Sequence, residues 1–248
     1  MTYVSKIEEI DTEVFGFDVY SFNSANTTSS LVEQIKEIEV LGRPAYLTLR
    51  IDALETAEIE KVESHGFHYV ETSFSTTVRL PKKRFDTTRY PYEYHKIESL
   101  AELDEVCEIA DRTTNLDRFT LDPMIGKQLS GKRYVRYLQR SFQDASEEIW
   151  AVRSRKSERL LTFRSHRWVS ADNVRLLNGG VHPDFKECGL GVVSTHFCFN
   201  SLMEFGAKRA DTQISAANVP VVNLEVGHFN FKVTKTFVTL RKVVNWKF

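Results

Sequence analysis

The segment from residue 176 to residue 193 is the most informative part of the sequence. It reads Leu176-Leu177-Asn178-Gly179-Gly180-Val181-His182-Pro183-Asp184-Phe185-Lys186-Glu187-Cys188-Gly189-Leu190-Gly191-Val192-Val193. Residues 174–181 predict a strand, which ends in a Val-x-Pro turn. Gly189 and Gly191 then open a helix, so a ligand can approach the backbone and meet the free N–H groups of the first turn. These groups and the helix dipole attract an anion, and Lys186 adds a positive charge. The segment therefore predicts a pyrophosphate site.

The glycine spacing narrows the choice of pyrophosphate ligand. A dinucleotide fingerprint needs a third glycine at position 194, where this chain has Ser194. A Walker loop needs Gly-Lys and then Ser or Thr after four spacer residues, and the sequence has no such order. NAD and ATP therefore fit this loop poorly.

Hydrophobic periodicity gives the order of elements around the loop. Strands are predicted at 92–97, 149–153, 160–168, 174–181 and 210–215, and helices at 100–112, 132–142 and 189–205. Residues 231–243 predict one more strand or a hairpin. Residues 219–226 predict a short helix or turn. The order is strand, two helices, three strands, helix, strand, short helix, and a final strand or hairpin, which indicates an α/β (α+β) fold.

A further region precedes this one. Strand patterns at 18–22, 45–51 and 68–80 alternate with helix patterns at 31–40 and 53–64. The segment 81–91 is charged and contains two prolines, so it reads as a boundary. The sequence thus predicts a small α/β domain at 1–85 and a second domain at 92–248.

Composition excludes several classes of protein. Lys and Arg total 33 and Asp and Glu total 34, a net charge of −1 that gives no electrostatic reason to expect nucleic acid or an anionic membrane as partner. Three cysteines form no disulfide framework, and no zinc-ligand pattern is present, so we expect free thiols and no metal. Without an apolar signal core or a run of about 20 apolar residues, we expect a soluble cytoplasmic protein.

The loop resembles the acetyl-CoA loop of the GNAT superfamily of N-acyltransferases. That signature is Arg or Gln, two residues, Gly, any residue, and Gly or Ala; here Lys186 holds the first position. The next strand is followed by Asn218, and Leu224 matches the family's Leu-Tyr pair, whereas Glu225 replaces its Tyr and the Gly-Phe pair that follows is displaced. The resemblance implies a mixed, mostly antiparallel sheet flanked by helices. It also implies acyl-CoA as co-substrate.

The resemblance assigns the cofactor-binding residues. Backbone groups near Gly180 and Val181 would bind the pantetheine arm, and Asn218 would contact CoA, although a helix N-cap is an equally good reading of Asn218. The pyrophosphate would lie over the loop residues Lys186, Glu187, Cys188, Gly189, Leu190, Gly191 and Val192.

A narrower resemblance covers nearly the whole chain. Residues 11–19, 66–72 and 117–123 look like segments of two-domain GNAT enzymes of the dTDP-fucosamine acetyltransferase type, which acylate amino groups on nucleotide-linked deoxysugars. It implies transfer of acetyl, or a short hydroxyacyl group such as 3-hydroxybutanoyl, to a dTDP-linked amino-dideoxyhexose in surface polysaccharide (lipopolysaccharide O-antigen) biosynthesis. The alternatives are another amine (a protein N-terminus, an amino acid or an antibiotic) and a non-catalytic CoA-binding protein. The N-terminal region would serve acceptor recognition or, alternatively, assembly of a homodimer.

Two residues are candidates for catalysis. Glu225 occupies the position of the family's thiolate-protonating Tyr, but we expect an exposed helix residue there, a poor acid that turnover does not require. His182 lies beside the loop, where a packing role is the plainer reading.

Four residues are candidates for binding the acceptor. Arg164 and His166 alternate with Trp168 on one strand face, which either lies exposed or faces the acceptor's phosphates. Arg118 likewise either lies exposed or faces the acceptor's phosphates. Asn178, on the strand before the loop, is the fourth candidate.

Overall fold

The computed structural model describes residues 2–25, 31–113, 116–186 and 188–246. In this part of the chain the strands are β1 (Thr2–Ile7), β2 (Asp18–Ala25), β3 (Ala45–Asp52), β4 (His68–Arg79), β5 (Tyr92–Lys96), β6 (Glu147–Ser154), β7 (Leu160–Ser170), β8 (Asn173–Val181), β9 (Arg209–Ser215) and β10 (Lys232–Val244). The α-helices are α1 (Glu9–Phe15), α2 (Leu31–Val40), α3 (Thr56–Ser64), α4 (Leu100–Thr113), α5 (Arg118–Leu121), α6 (Gly126–Gln143), α7 (Leu190–Glu204) and α8 (Val219–Val222). A 3-10 turn spans Pro183–Phe185, and a π-helix spans Asn223–His228.

The described strands form one ten-stranded sheet. Its order is β1-β2-β3-β10-β4-β9-β8-β7-β6-β5. The pairs β2–β3 and β8–β9 are parallel, and the other neighbours are antiparallel. The prediction of a mixed, mostly antiparallel sheet flanked by helices is confirmed.

Helices cover both faces of the sheet because apolar residues alternate along its strands. On β3, Leu47 and Leu49 pack under α2 and α3, whereas Tyr46 packs in another cluster with Phe119 of α5. At the other end, α4 and α6 cover β6 and β7, and Phe199 of α7 lies in a cluster with Val174 of β8. At roughly 1.5–3 kcal/mol per fully buried side chain, these clusters hold the layers together.

The N-terminal region is tied to the rest of the chain through this sheet. Strand β4 lies between β9 and β10, and β3 pairs with β10 along eight residues. Buried Asp11 accepts a 2.6 Å hydrogen bond from Arg133 on α6, and Phe15 packs edge-on against Phe119 with ring centroids 5.1 Å apart. The segments 11–19 and 117–123, which carry the narrower resemblance, are thus neighbours in space. The division into domains at 85–92 stays a prediction about folding units.

The predicted elements from residue 92 onward are present, and some of their bounds differ. The structure adds β1 and α1 before the first predicted strand, and α6 begins at Gly126, six residues earlier than expected. Residues 219–228 form α8 and then the π-helix. None of the described helices is long and apolar enough to cross a membrane.

Candidate functional site

A cleft opens where two parallel strands separate. Strands β8 and β9 pair only between residues 173–175 and 209–211, and beyond this point they diverge. The hydroxyl of Thr212 donates to the carbonyl of Leu176 at 3.2 Å, just past the last paired residues. A cavity of about 850 Å³ lies here, lined by residues 176–181 of β8 and 212–215 of β9. Its volume is that of a site for a ligand of cofactor size.

Helix α7 begins at the mouth of this cleft. Its N-cap Gly189 has φ +71°, in the left-handed region that favours glycine, and this turn directs the helix start toward the cavity. Leu190, Gly191 and Val192 line the cavity together with Lys186. The N–H groups of Leu190 and Gly191 lie in the first turn, where the helix itself offers them no acceptor. The arrangement suits an anionic group.

Among the described residues of the predicted loop, Cys188 alone is not on the cavity wall. The exposed thiol of Cys188 lies 3.6 Å from the carbonyl oxygen of Lys186 and does not line the cavity. Glu187 lies outside the described residues.

Gly180 has a steric reason to be glycine. A Cβ at this position would lie 2.7 Å from Cε1 of buried Phe163 and 3.0 Å from the hydroxyl of Thr113. The backbone of β8 therefore packs directly on these two side chains. Gly180 and Val181 both line the cavity, where strand β8 lacks a β9 partner.

Asn218 is the N-cap of α8, and its predicted contact with CoA stays a prediction. Its side-chain oxygen accepts from the amide of Val221 at 3.4 Å, so it caps α8, and the residue also lines the cavity.

Glu225 is buried, and the expectation that it is an exposed helix residue is wrong. The residue is 5% exposed and lines the cavity from the π-helix. Burial raises the pKa of its carboxyl, and Arg164, whose guanidinium lies 3.8 Å away, partly offsets this rise. Its Oε2 atom has no hydrogen-bond partner among the described residues. A π-helix adds a residue to the turn, which changes the side chain that points inward.

Three of the four predicted acceptor residues line the cavity: Arg118, Arg164 and Asn178. Arg164 also donates to the hydroxyl of Thr195 on α7 at 2.7 Å, so its guanidinium is held in place.

The two histidines are not on the cavity wall. His166 is buried, with its Nε2 atom 3.2 Å from a carboxylate oxygen of Glu148, and burial lowers the pKa of the imidazole. His182 accepts from the amide of Asp184 at 3.2 Å and lies 3.2 Å from Arg159, and so it supports the turn before α7. The structure therefore brings neither to the cleft, in agreement with the packing role considered for His182.

Strands of the N-terminal region contribute polar residues that sequence reasoning missed. Arg50 of β3 and Glu71 and Ser73 of β4 line the same cavity. Arg50 donates to the side chain of Gln213 at 2.7 Å, and its Cζ atom lies 3.9 Å from the centroid of the Phe237 ring. The sequence signal was a charged residue in an otherwise apolar strand pattern, which by itself does not show what it faces.

Unpaired buried atoms gather at this cavity. Among the described residues, the buried side-chain atoms without a hydrogen-bond partner include Nε and Nη2 of Arg50, Oε2 of Glu71 and Oε2 of Glu225. An unsatisfied buried polar group costs about 1–3 kcal/mol, and more when it is charged. A ligand or water in the cavity would recover this energy.

Among the described residues, more positive than negative side chains line the cavity. Five cationic residues (Arg50, Arg118, Arg133, Arg164 and Lys186) and three acidic ones (Glu71, Asp117 and Glu225) line it. Although the whole chain is nearly neutral, the site favours an anion. The described residues contain no group of three or more His, Cys, Asp or Glu side chains placed to hold a metal ion.

Comparison with known proteins finds similarity in structure alone. No protein-family model and no curated protein sequence matches the chain. A GCN5-related N-acetyltransferase from Sphaerobacter thermophilus matches 98% of this chain and 76% of its own, with a TM-score of 0.66 and 11% identity.

Two further structures show the same likeness. A tandem GNAT protein from the clavulanic acid biosynthesis pathway matches 93% of this chain and 76% of its own, with a TM-score of 0.62 and 9% identity. A GCN5-related N-acetyltransferase from Kribbella flavida matches 91% of this chain and 81% of its own, with a TM-score of 0.59 and 12% identity. The splayed strands, the glycine-started helix and these likenesses agree, and the chain therefore has the GNAT fold.

Proposed function

We propose that this protein is an acyl-CoA-dependent N-acyltransferase. The observation that carries the proposal is the cleft between β8 and β9, which ends at the glycine-started helix α7. The pyrophosphate of CoA would lie over the first turn of α7, with Lys186 beside it. The pantetheine arm would lie between the diverging strands. There, backbone groups of β8 that face away from β7 are free to bond its amides, as an edge strand bonds an added peptide.

The reaction requires a proton to reach sulfur. The amine nitrogen attacks the thioester carbon, a C–N bond forms, and the C–S bond breaks with its electron pair passing to sulfur. A thiol has a reference pKa of about 8.5, so a protonated carboxyl can donate to the departing thiolate. Because burial raises the pKa of Glu225, its acid form persists closer to neutral pH. We assign Glu225 this role and withdraw the expectation that it is dispensable, which assumed exposure.

The acceptor that we propose is a nucleotide-linked amino sugar, with a dTDP-linked amino-dideoxyhexose as the specific form. Arg118 and the residues of β3 and β4 extend the cavity wall beyond the cleft. A long acceptor with remote phosphates would use this wall, and its binding energy could position the amine at the thioester. The acyl group would be acetyl or a short hydroxyacyl. If the N-terminal region serves only dimerisation, the nucleotide would be irrelevant.

Kinetics with two acceptors test this proposal. The free amino sugar should react far more slowly than its dTDP form, with a lower rate constant as well as a weaker affinity. Equal specificity constants for the two would overturn the nucleotide-sugar acceptor and favour another amine. CoA binding without amide formation across a panel of amino sugars, amino acids, antibiotics and peptides would indicate a non-catalytic CoA-binding protein.

A further inference from the structure

We infer that β3, β4 and α5 form an acceptor subsite for an amine that also carries an oxyanion, with Arg50 and Arg118 binding the oxyanion and Glu71 binding the amine. This inference rests on the proposed function. It assigns the acceptor's two charged ends to particular residues, two of which come from the N-terminal region.

Arg50 is arranged as a receptor for an anion. One of its nitrogens is used by Gln213, and the Phe237 ring covers one face of the guanidinium. The Nε and Nη2 atoms remain buried without a partner among the described residues. Two adjacent N–H donors of a guanidinium match the two oxygens of a carboxylate or phosphate. The fixed side chain therefore holds two adjacent, unused donors within the wall of the cavity.

Arg118 adds a second cation to the same wall. Arg133 and Arg164, which also line the cavity, each have a close partner, since Asp11 lies 2.6 Å from Arg133 and the Thr195 hydroxyl accepts from Arg164 at 2.7 Å. No carboxylate of a described residue forms a salt bridge with Arg50 or Arg118. Desolvation lowers the pKa of the Arg50 guanidinium, Arg118 lowers it further, and Glu71 partly offsets this fall. An anion bound between the two would relieve this repulsion.

Glu71 provides the complementary charge for the amine. It lines the cavity two residues before Ser73, which pairs with Ser215 at the end of β9. The amide of Ala216 donates to the carbonyl of Thr72 at 2.8 Å, which holds this end of β4 beside the cleft. The Oε2 atom of Glu71 is buried without a partner among the described residues. Burial raises the pKa of this carboxyl, and the Ser215 hydroxyl and Arg118 partly offset the rise.

This placement lets Glu71 accept the proton that an ammonium must lose before it attacks. Glu71 takes one proton, and the neutral nitrogen forms the C–N bond while the C–S electron pair passes to sulfur. Glu225 donates its proton to sulfur, and the second nitrogen proton passes to water. Proton exchange with water then restores Glu225 as acid and Glu71 as carboxylate, so each turnover releases one proton.

Matched acceptors test the subsite because one member of each pair carries an anionic group that the other lacks. The pairs are a dTDP-4-amino-4,6-dideoxyhexose and its free sugar, glucosamine 6-phosphate and glucosamine, and an amino acid and its amide. We expect the anionic member of at least one pair to have a kcat/KM at least about tenfold higher than its neutral partner, which is the scale of a charged hydrogen bond. The pairs with phosphate and with carboxylate distinguish the two sources of the oxyanion. Equal rates within every pair would overturn the inference.

Two arginine variants test which residues cause the preference for the anionic acceptor. Arg50→Gln and Arg118→Gln should each abolish it without changing calorimetric CoA affinity, which also reports that the variant is folded. Arg175→Gln is the control, since Arg175 also lowers the pKa of Arg50 but is exposed and does not line the cavity. An equal loss in Arg175→Gln, or no loss in the other two, would contradict the assignment.

The role of Glu71 has its own readout. Glu71→Gln should lower kcat/KM by about a hundredfold, the lower range of general base catalysis, and remove the acidic limb of its pH profile. A fall with an unchanged profile would show that Glu71 has no proton-transfer role. Failure of the wild-type protein to bind CoA would instead refute the proposed function.

Discussion

Gly180→Ala should destabilise the protein because strand β8 packs directly on a buried ring. The added Cβ would lie 2.7 Å from Cε1 of Phe163, whereas carbon atoms in contact are about 3.5–4.0 Å apart. Phe163 is 2% exposed and packs in the cluster under α4 and α6, so its ring cannot swing into solvent. Overpacking of this kind costs about 1–3 kcal/mol. For a chain of this length that corresponds to a loss of about 2–12 °C in melting temperature.

Thermal unfolding followed by circular dichroism measures the effect. Gly227→Ala is the control, because a Cβ there would meet nothing within 4 Å. Phe163→Leu removes the opposing ring atom, so in the double variant the two changes should couple by about 1 kcal/mol or more. If Gly180→Ala melts like Gly227→Ala, the packing of β8 described above is wrong.

Three further predictions concern the same site. Glu225→Gln should lower kcat by about a hundredfold. In a pH–rate profile, the variant should also lose the fall in activity that wild type shows as pH rises through the raised pKa of Glu225. An unchanged profile would exclude Glu225 as the acid. In the ligand-free protein, the ionised carboxylate of Glu225 destabilises the fold at pH values above its raised folded pKa, and this cost disappears below its unfolded pKa. Glu225→Gln should therefore raise the melting temperature more at pH 8 than at pH 4. The reverse order would contradict the burial of Glu225. Gly189→Ala should lower the free energy of unfolding, measured with denaturant, by about 1–2 kcal/mol because φ is +71°, and Gly189→Asn should lower it less. Equal stability of wild type and both variants would contradict the left-handed N-cap.

The local parts of the fold could be predicted from the sequence. The strand before residue 182, the glycines at the start of α7 and the order of elements from residue 92 depend on periodicity and turn chemistry within short segments. The cofactor side of the site follows from them, because the N-terminus of a helix after a strand fixes where an anion can bind.

The acceptor side could not be predicted, because it depends on contacts between distant segments. Arg50 and Glu71 reach the cavity only because β3 and β4 join the sheet through β10 and β9. The burial of Glu225 depends on a π-helix, which breaks the 3.6-residue period assumed in reading the sequence. His166 is held by Glu148 of the neighbouring strand, a pairing that its own strand pattern does not reveal.

The most direct test of the account is a calorimetric titration of CoA. We predict that wild type binds one CoA per chain and that Gly191→Trp binds none, because the indole would cover the first turn of α7. The fold should survive, since a Cβ at Gly191 meets only the flexible end of Leu224, at 3.2 Å. Glu204→Trp, at the exposed far end of α7, is the control and should bind CoA like wild type. Absence of binding by wild type, or unchanged affinity in Gly191→Trp, would contradict the central claim that this cleft is a CoA site.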